Sequence, residues 1–217
     1  LNHKEKCEVL PEHNQGMQVI PQIMANDTEV FLEIVKQLEQ YGYNEVNLNL
    51  GCPSGTVVPK KRGAGLLSDL TLLDNFLDSI YSKCPIPISI KTRIGMENPE
   101  EWEAIQAIYS RYPIHELIIH PRLQKDQYKN TPNMEVFEEA LNSLQCPICY
   151  NGDLHTSEQI NQFTSQWSGV NTIMLGRGVL KNPGLIGQAT GGNPINKETL
   201  LAFHNDVLQG YKEHISG

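Results

Sequence analysis

The chain has 217 residues, with 17 Lys and Arg against 25 Asp and Glu and a net charge of -8 at neutral pH. That balance does not suggest a general nucleic-acid binder, although a local basic patch can still do that work. There is no run of about 18 apolar residues to span a membrane, and no basic start followed by an apolar stretch to mark a signal peptide. A soluble, cytoplasmic protein with no membrane partner is therefore expected.

Taken in chain order, the opening run to Gln15 is polar and has no clear period. Gln18-Val19-Ile20-Pro21-Gln22 predicts a first strand, with Gln22 on its second face. Asp27 can cap a helix carrying Val30, Phe31, Ile34, Val35 and Leu38, which stops at Gly42. Next comes an alternating strand in which Val46, Leu48 and Leu50 share one face while Asn47 and Asn49 share the other. It delivers Cys52, held between Gly51 and Pro53. Amides inside a core are costly unless paired, so this enclosed face is expected to meet a polar ligand as well as protein. The alternative is an edge strand whose asparagines face water.

A helix follows with Leu70, Leu73, Phe76, Leu77 and Ile80 on its apolar stripe. Ile88 to Arg93 alternates again, with Ser89, Lys91 and Arg93 on one face. Asn98-Pro99 is a cap and first-turn pair, opening a helix with Trp102, Ile105 and Ile108 that ends before Pro113. The strand Leu117 to Arg122 puts His120 and Arg122 together, and Pro132 opens a helix with Val136, Phe137, Ala140, Leu141 and Leu144. Pro147 to Asp153 and Thr172 to Gly178 are further strands that close on glycine, separated by a short helix from Thr156 or Ser157. After Gly191-Gly192-Asn193-Pro194, a helix from Asn196 carries Leu200, Leu201, Val207, Leu208 and Tyr211.

Every strand is apolar early and polar late, the pattern of parallel strands whose C-terminal ends converge on one site. Strand starts fall roughly 25 to 40 residues apart, the size of one βα unit, which favours a TIM-type (β/α) barrel. Near residues 18, 46, 88, 117, 148 and 172 there are six strands, whereas a closed barrel needs eight and about 250 residues. The first two strands are thus expected to be missing from a chain that starts at Leu1, with a six-stranded open α/β sheet as the alternative. On the barrel reading, residues 1–190 form the N-terminally incomplete catalytic domain and 191–217 begin a helical domain.

Five cysteines are an odd number in a chain large enough for a real core, which argues for reduced thiols. Cys146 and Cys149 have C-x-x-C spacing but lie on a strand with no second pair, and no metal is expected. Lys60, Lys61 and Arg62 follow the thiol, and Arg93, Arg122, Lys125 and Lys129 follow other strand ends, so all are expected on one rim. A solvated loop is the plainer reading of the Lys60 to Arg62 run. For Cys52 the plainer reading is a small buried hydrophobe.

Asn47-x-Asn49-x-Gly51-Cys52-Pro53-Ser54-x-x-Val57, followed by Gly63-Ala64-x-Leu66-Leu67, resembles the signature of tRNA-dihydrouridine synthases. Further blocks agree in order and spacing: Pro21-Gln22-Ile23, Lys91-Thr92-Arg93-x-Gly95, His120-x-Arg122 with Tyr128, and Asn151-Gly152-Asp153 followed by Gly176-Arg177-Gly178 and Asn182-Pro183. The resemblance implies an FMN enzyme, with NADPH as reductant, that reduces uridine in transfer RNA and works as a monomer. It also implies an alanine-proline-methionine strand and a second strand before residue 17, neither present here. Gln22, Lys91 and His120 would hold the flavin ring. Asn151, Gly152, Asp153, Gly176 and Arg177 would surround its phosphate, with Asp153 suited to cap a helix or orient Arg177.

Cys52 would be the general acid, since a thiol is mostly protonated at neutral pH. Asn49 would hold the uracil edge, and Arg93, Arg122, Lys60, Lys61 and Arg62 would meet the substrate RNA. Pro121 and Lys129-Asn130 depart from the family pattern on the RNA side. Two other readings stand beside this one. The first is a flavin-dependent dehydrogenase of free pyrimidines, and the second a non-catalytic truncated barrel that binds RNA or a partner.

Overall fold

In a computed structural model, which describes residues 1–214, the strands are β1 (Gln22–Ile23), β2 (Val46–Leu50), β3 (Ile88–Arg93), β4 (Leu117–His120), β5 (Ile148–Tyr150) and β6 (Thr172–Ile173). Each pairs in parallel with the next, in unbroken chain order. Successive βα units with the usual right-handed crossover lay strands down in this order in a (β/α) barrel, whereas a doubly wound sheet reverses at a switch point. The fold is therefore α/β of the barrel type, with six strands among the described residues.

The helices are α1 (His3–Val9), α2 (Thr28–Gln40), α3 (Leu70–Lys83), α4 (Glu101–Tyr109), α5 (Met134–Ser143), α6 (Ser157–Gln166), α7 (Arg177–Lys181), α8 (Leu185–Ala189) and α9 (Lys197–His214). The chain divides into two compact units. Residues 1–152 with 170–174 hold all the strands and α1 to α5, and the remainder holds α6 to α9. Of the helical segment expected over 191–217, residues 215–217 lie outside the described residues. No helix among the described residues is long and apolar enough to cross a membrane.

Local chemistry explains several element ends. Asp27 accepts the Val30 N–H at 2.9 Å and Asp69 the Leu72 N–H at 3.1 Å, caps that each stabilise their helix by about 1 kcal/mol. Gly42, at φ 88°, supplies the left-handed residue just past α2. Thr156 and Gln159 form a reciprocal capping box at α6. Phe31 of α2 meets Phe76 of α3 edge to face, with 6.0 Å between centroids. On the sheet, Val46, Leu48, Leu50, Ile88, Ile90, Leu117 and Ile119 are essentially without solvent.

Three elements differ from the sequence reading. Pairing of β1 begins only at Gln22, because Pro21 has no N–H and joins the ladder solely as acceptor for Asn47 N–H at 2.9 Å. Helix α4 starts at Glu101, past Asn98-Pro99, because the Glu101 carboxylate reaches back for the N–H groups of Met96, Glu97 and Asn98 at 2.7, 2.9 and 2.8 Å. The polar N-terminus contains α1, closed by an Asn2/Glu5 capping box; it buries no residue, so no apolar period announces it.

Candidate active site

Register and alternation put the polar residues of the first unit on one sheet face. Asn47 pairs with Ser89, Asn49 with Lys91, Lys91 with Ile118, Arg93 with His120, and Ile118 with Cys149. Asn47 and Ser89 are buried at 5% and 2% exposure, so their hydrogen bonds must be found inside the protein. They are. Gln22 Nε2 donates to Asn47 Oδ1 at 2.7 Å and Asn47 Nδ2 donates to Ser89 Oγ at 3.0 Å. Asn49 Nδ2 donates to Gln22 Oε1 at 2.7 Å. The amides expected to need a ligand thus pair first with one another.

The thiol loop grows from the end of β2. Asn49 Oδ1 accepts the backbone N–H of Gly51 at 3.0 Å and of Cys52 at 2.9 Å, while Arg93 Nε donates to the Gly51 carbonyl at 2.9 Å. Beyond it, Ala64 N–H donates to Cys52 O at 3.0 Å. Gly63, at φ 54°, lies so close that a Cβ would stand 2.8 Å from Cys52 Cβ. The Gly63-Ala64-x-Leu66-Leu67 run is therefore the packed wall of this loop, and Cys52 itself stays half-buried and reachable.

Lys91 lies beside Asn49 in register, and its amine has no hydrogen bond or ion pair among the described residues. Burial, then the nearby Arg93 charge, lowers its pKa to about 8, against an opposing pull from Cys149 and Cys52. A largely buried ammonium without a counter-charge is costly, which makes Lys91 a candidate for meeting a ligand that supplies the missing charge.

Arg93 and Arg122 are not on the exposed rim expected of them; each is 1% exposed. Arg93 donates to Leu123 O at 2.8 Å and Gln127 O at 2.7 Å besides Gly51 O, and its guanidinium stands 5.6 Å over the Tyr128 ring. Arg122 donates to Lys129 O at 3.0 Å, to Asn130 O at 2.6 Å and, through Nη1, to His120 Nε2 at 2.9 Å. Since a guanidinium only donates, His120 Nε2 is an acceptor there and the ring proton belongs on Nδ1. The two arginines thus pin the loop after β4 by its carbonyls. Tyr128 at 57% exposure stands at its surface.

The other cations divide. Lys60 and Arg62 are exposed, Arg62 sharing a 3.3 Å hydrogen bond with Asn26, whereas Lys61 turns to Ser68 at 2.9 Å and Asp69 at 3.9 Å. Lys125 pairs with Glu97 at 3.7 Å.

At the end of β5, Asn151 Nδ2 donates to Met174 O at 2.9 Å, and a Cβ on Gly152 would collide with the Tyr150 hydroxyl. Within the second unit, Arg177 Nη2 donates to Asp153 Oδ1 at 2.8 Å, and His155 Nε2 stands 3.9 Å from the same oxygen. Asp153 therefore orients Arg177. Gly176 begins α7 with no side-chain cap.

Sequence reasoning missed Glu101 as the anchor of the loop after β3. Burial alone would raise its pKa, but the three N–H donors of Met96, Glu97 and Asn98 outweigh this and leave it below the usual carboxylate value. The left-handed Gly95 next to it was the available signal, since a Cβ there would press on Glu101.

Cys52, Lys91 and the polar face lie at the C-terminal ends of parallel strands of a (β/α) barrel-type fold, the end at which such folds carry their sites. The family model described as dihydrouridine synthase (Dus) matches residues 1–216, and the chain belongs to that family. A probable tRNA-dihydrouridine synthase of Rickettsia prowazekii is 26% identical over 185 residues, covering 85% of this chain and 56% of that protein. The tRNA-dihydrouridine(20/20a) synthase of Yersinia pestis is 28% identical over 196 residues, covering 84% and 56%. The tRNA-dihydrouridine(16) synthase of Neisseria meningitidis is 27% identical over 186 residues, covering 83% and 55%. The chain spans about half the length of the curated relatives it matches.

Proposed function

We propose that the protein to which this chain belongs reduces the 5,6 double bond of uracil in transfer RNA, using FMN and NADPH. The observation that carries this reading is the half-buried Cys52 thiol close enough to act on the Lys91 amine, which has no hydrogen bond or ion pair among the described residues, in a chain of this family. The residues fit FMN. Lys91 supplies an unmatched positive charge, and Gln22, after its two pairings, keeps one N–H and one acceptor lone pair. FMN, when bound, supplies the hydride that uracil C6 accepts.

The chain's own groups do the rest. Lys91, still mostly protonated at neutral pH, would hold positive charge against the bound flavin, and its partial burial would strengthen that effect. Cys52 Sγ delivers its proton to uracil C5 and is reprotonated from solvent. Asn49 and Arg93 hold the Gly51 and Cys52 N–H groups and the Gly51 carbonyl, so the backbone that carries the thiol is set before substrate arrives. Arg177, which Asp153 orients within the second unit, is the side chain suited to a phosphate there. The target base must leave the RNA stack, at a cost of a few kcal/mol that is least where it is already unpaired. Lys60 and Arg62, and the exposed apolar face of α9 with Leu200, Val207, Leu208 and Tyr211, support an RNA-binding rim and the beginning of a helical RNA-binding domain.

The experiment is to purify the full-length protein, record its flavin spectrum, and offer it NADPH with either unmodified transfer RNA or free uridine. Flavin absorbance with dihydrouridine formed only in the RNA is expected. Reduction of the free pyrimidine without reduction of the RNA would replace this reading with the free-pyrimidine one, and a flavin-free protein would remove both.

A further inference from the structure

The amides of the polar face form one continuous relay: Val46 O, Ser89, Asn47, Gln22, Asn49, and the N–H groups of Gly51 and Cys52. Its direction is set by its two ends. Backbone N–H groups only donate, so the Asn49 oxygen must face Gly51 and Cys52 and its nitrogen must face Gln22. The Gln22 oxygen is then the acceptor, and its nitrogen donates to the Asn47 oxygen. Asn47 Nδ2 passes the same sense to Ser89 Oγ, whose proton points to the Val46 carbonyl at 3.4 Å, a group that only accepts. Every amide orientation along the relay is thereby determined by its hydrogen-bond partners.

We propose that this relay is a positioning device for the Cys52 thiol, and that Gln22 is the positioning residue that locks it. The proposal rests on Cys52 being the proton donor. Gln22 belongs to β1 and Asn49 to β2, so the relay ties the first strand to the thiol loop through side chains as well as through the ladder. Without Gln22, the Asn49 amide loses its only hydrogen bond among the described residues outside the loop it holds, and its oxygen is free to turn from the Gly51 and Cys52 N–H groups. Arg93 grips the Gly51 carbonyl but neither N–H, so it cannot substitute. Gln22 also retains donor and acceptor capacity toward a ligand on this face, so flavin contact and thiol placement meet in one side chain.

The test is amide hydrogen exchange of Gly51 and Cys52, with the rate of Cys52 alkylation by iodoacetamide, in the full-length protein and its Gln22→Leu, Gln22→Glu and Asn49→Ala variants. Asn49→Ala removes the one oxygen that accepts both N–H groups and should speed exchange at the two amides by about ten-fold or more, the effect of losing a hydrogen bond at each. Gln22→Leu should speed it several-fold and raise the alkylation rate. Gln22→Glu keeps an acceptor for Asn49 Nδ2, and the Asn47 and Ser89 groups can reverse to suit it, so exchange should stay slow. At saturating FMN, Gln22→Leu should lower the single-turnover rate of uridine reduction while leaving transfer RNA affinity unchanged. Equal exchange in Gln22→Leu, Gln22→Glu and the parent would overturn the proposal. Exchange and alkylation need neither RNA nor reductant, so a shift in both with no dihydrouridine formed by the parent would sustain the relay and remove only the functional reading.

Discussion

Replacing Arg93 with Met should destabilise the first unit and release two loops at once. The guanidinium is 1% exposed and donates to Gly51 O, Leu123 O and Gln127 O at 2.9, 2.8 and 2.7 Å. Methionine keeps most of the aliphatic stem but leaves those carbonyls without their donor. Each hydrogen bond from a charged donor contributes about 1.5 to 3 kcal/mol net, which would reach roughly 4.5 to 9 kcal/mol if the three were independent. They share one guanidinium and are not additive. The net loss should be about 2 to 4 kcal/mol, the range of losing one buried charged donor. Urea unfolding of parent and variant measures it as a lower midpoint at unchanged slope. Arg93→Lys should recover less than half, because an ammonium cannot span three carbonyls as the planar fork does. A loss below about 0.5 kcal/mol in Arg93→Met, the size of an ordinary surface substitution, would refute the clamp.

Lys91→Met should make the flavin-free protein more stable at pH 7 while weakening FMN binding. Burial lowers the Lys91 pKa to about 8 against an ordinary 10.5, so its charging penalty is present below pH 8 and is relieved as pH rises toward 10.5. The stability gain in the variant should shrink over that window, and paired unfolding and flavin titrations at pH 7 and 10 would show it. Glu101 has the opposite sign: its pKa is lowered, so its contribution is full above the ordinary carboxylate value and is lost as pH falls through the folded one. Glu101→Gln should therefore flatten the acid limb of the stability profile, and an unaltered limb would mean that the Met96 to Asn98 turn does not depend on it. Neutralising Lys60 and Arg62 should lower the salt dependence of transfer RNA binding by roughly 0.7 to 0.9 in slope for each phosphate that the protein no longer neutralises, with FMN content unchanged. An identical slope would make the run a solvated loop.

What could be read from the sequence was what depends on near neighbours. Asp27 announces its helix because a cap needs only the next three residues, and it caps as read; of Thr156 and Ser157, both open from the sequence, Thr156 is the cap. Alternation from Val46 to Leu50 and from Ile88 to Arg93 correctly separated a polar face from an apolar one. The destinations of the polar side chains could not be read. Arg93 looks like one more rim cation, yet its carbonyl partners lie 42, 30 and 34 residues away in sequence, and only the folded sheet brings them within reach. The same holds for Asn49, whose oxygen serves its own loop while its nitrogen crosses to Gln22, 27 residues back. Helix α1 was invisible for a different reason: a helix with no buried face carries no apolar period.

The most direct measurement is single-turnover reduction of unmodified transfer RNA by the full-length, FMN-loaded, pre-reduced protein, comparing the parent with Cys52→Ala. Removing a general acid that leaves the hydride source in place should slow uridine reduction by about 100-fold or more, since positioned acids and bases contribute roughly 100- to 10,000-fold. Flavin content and its reduction by NADPH should match the parent. Dihydrouridine formed at the parental rate by Cys52→Ala would contradict the account and reduce Cys52 to a packing residue.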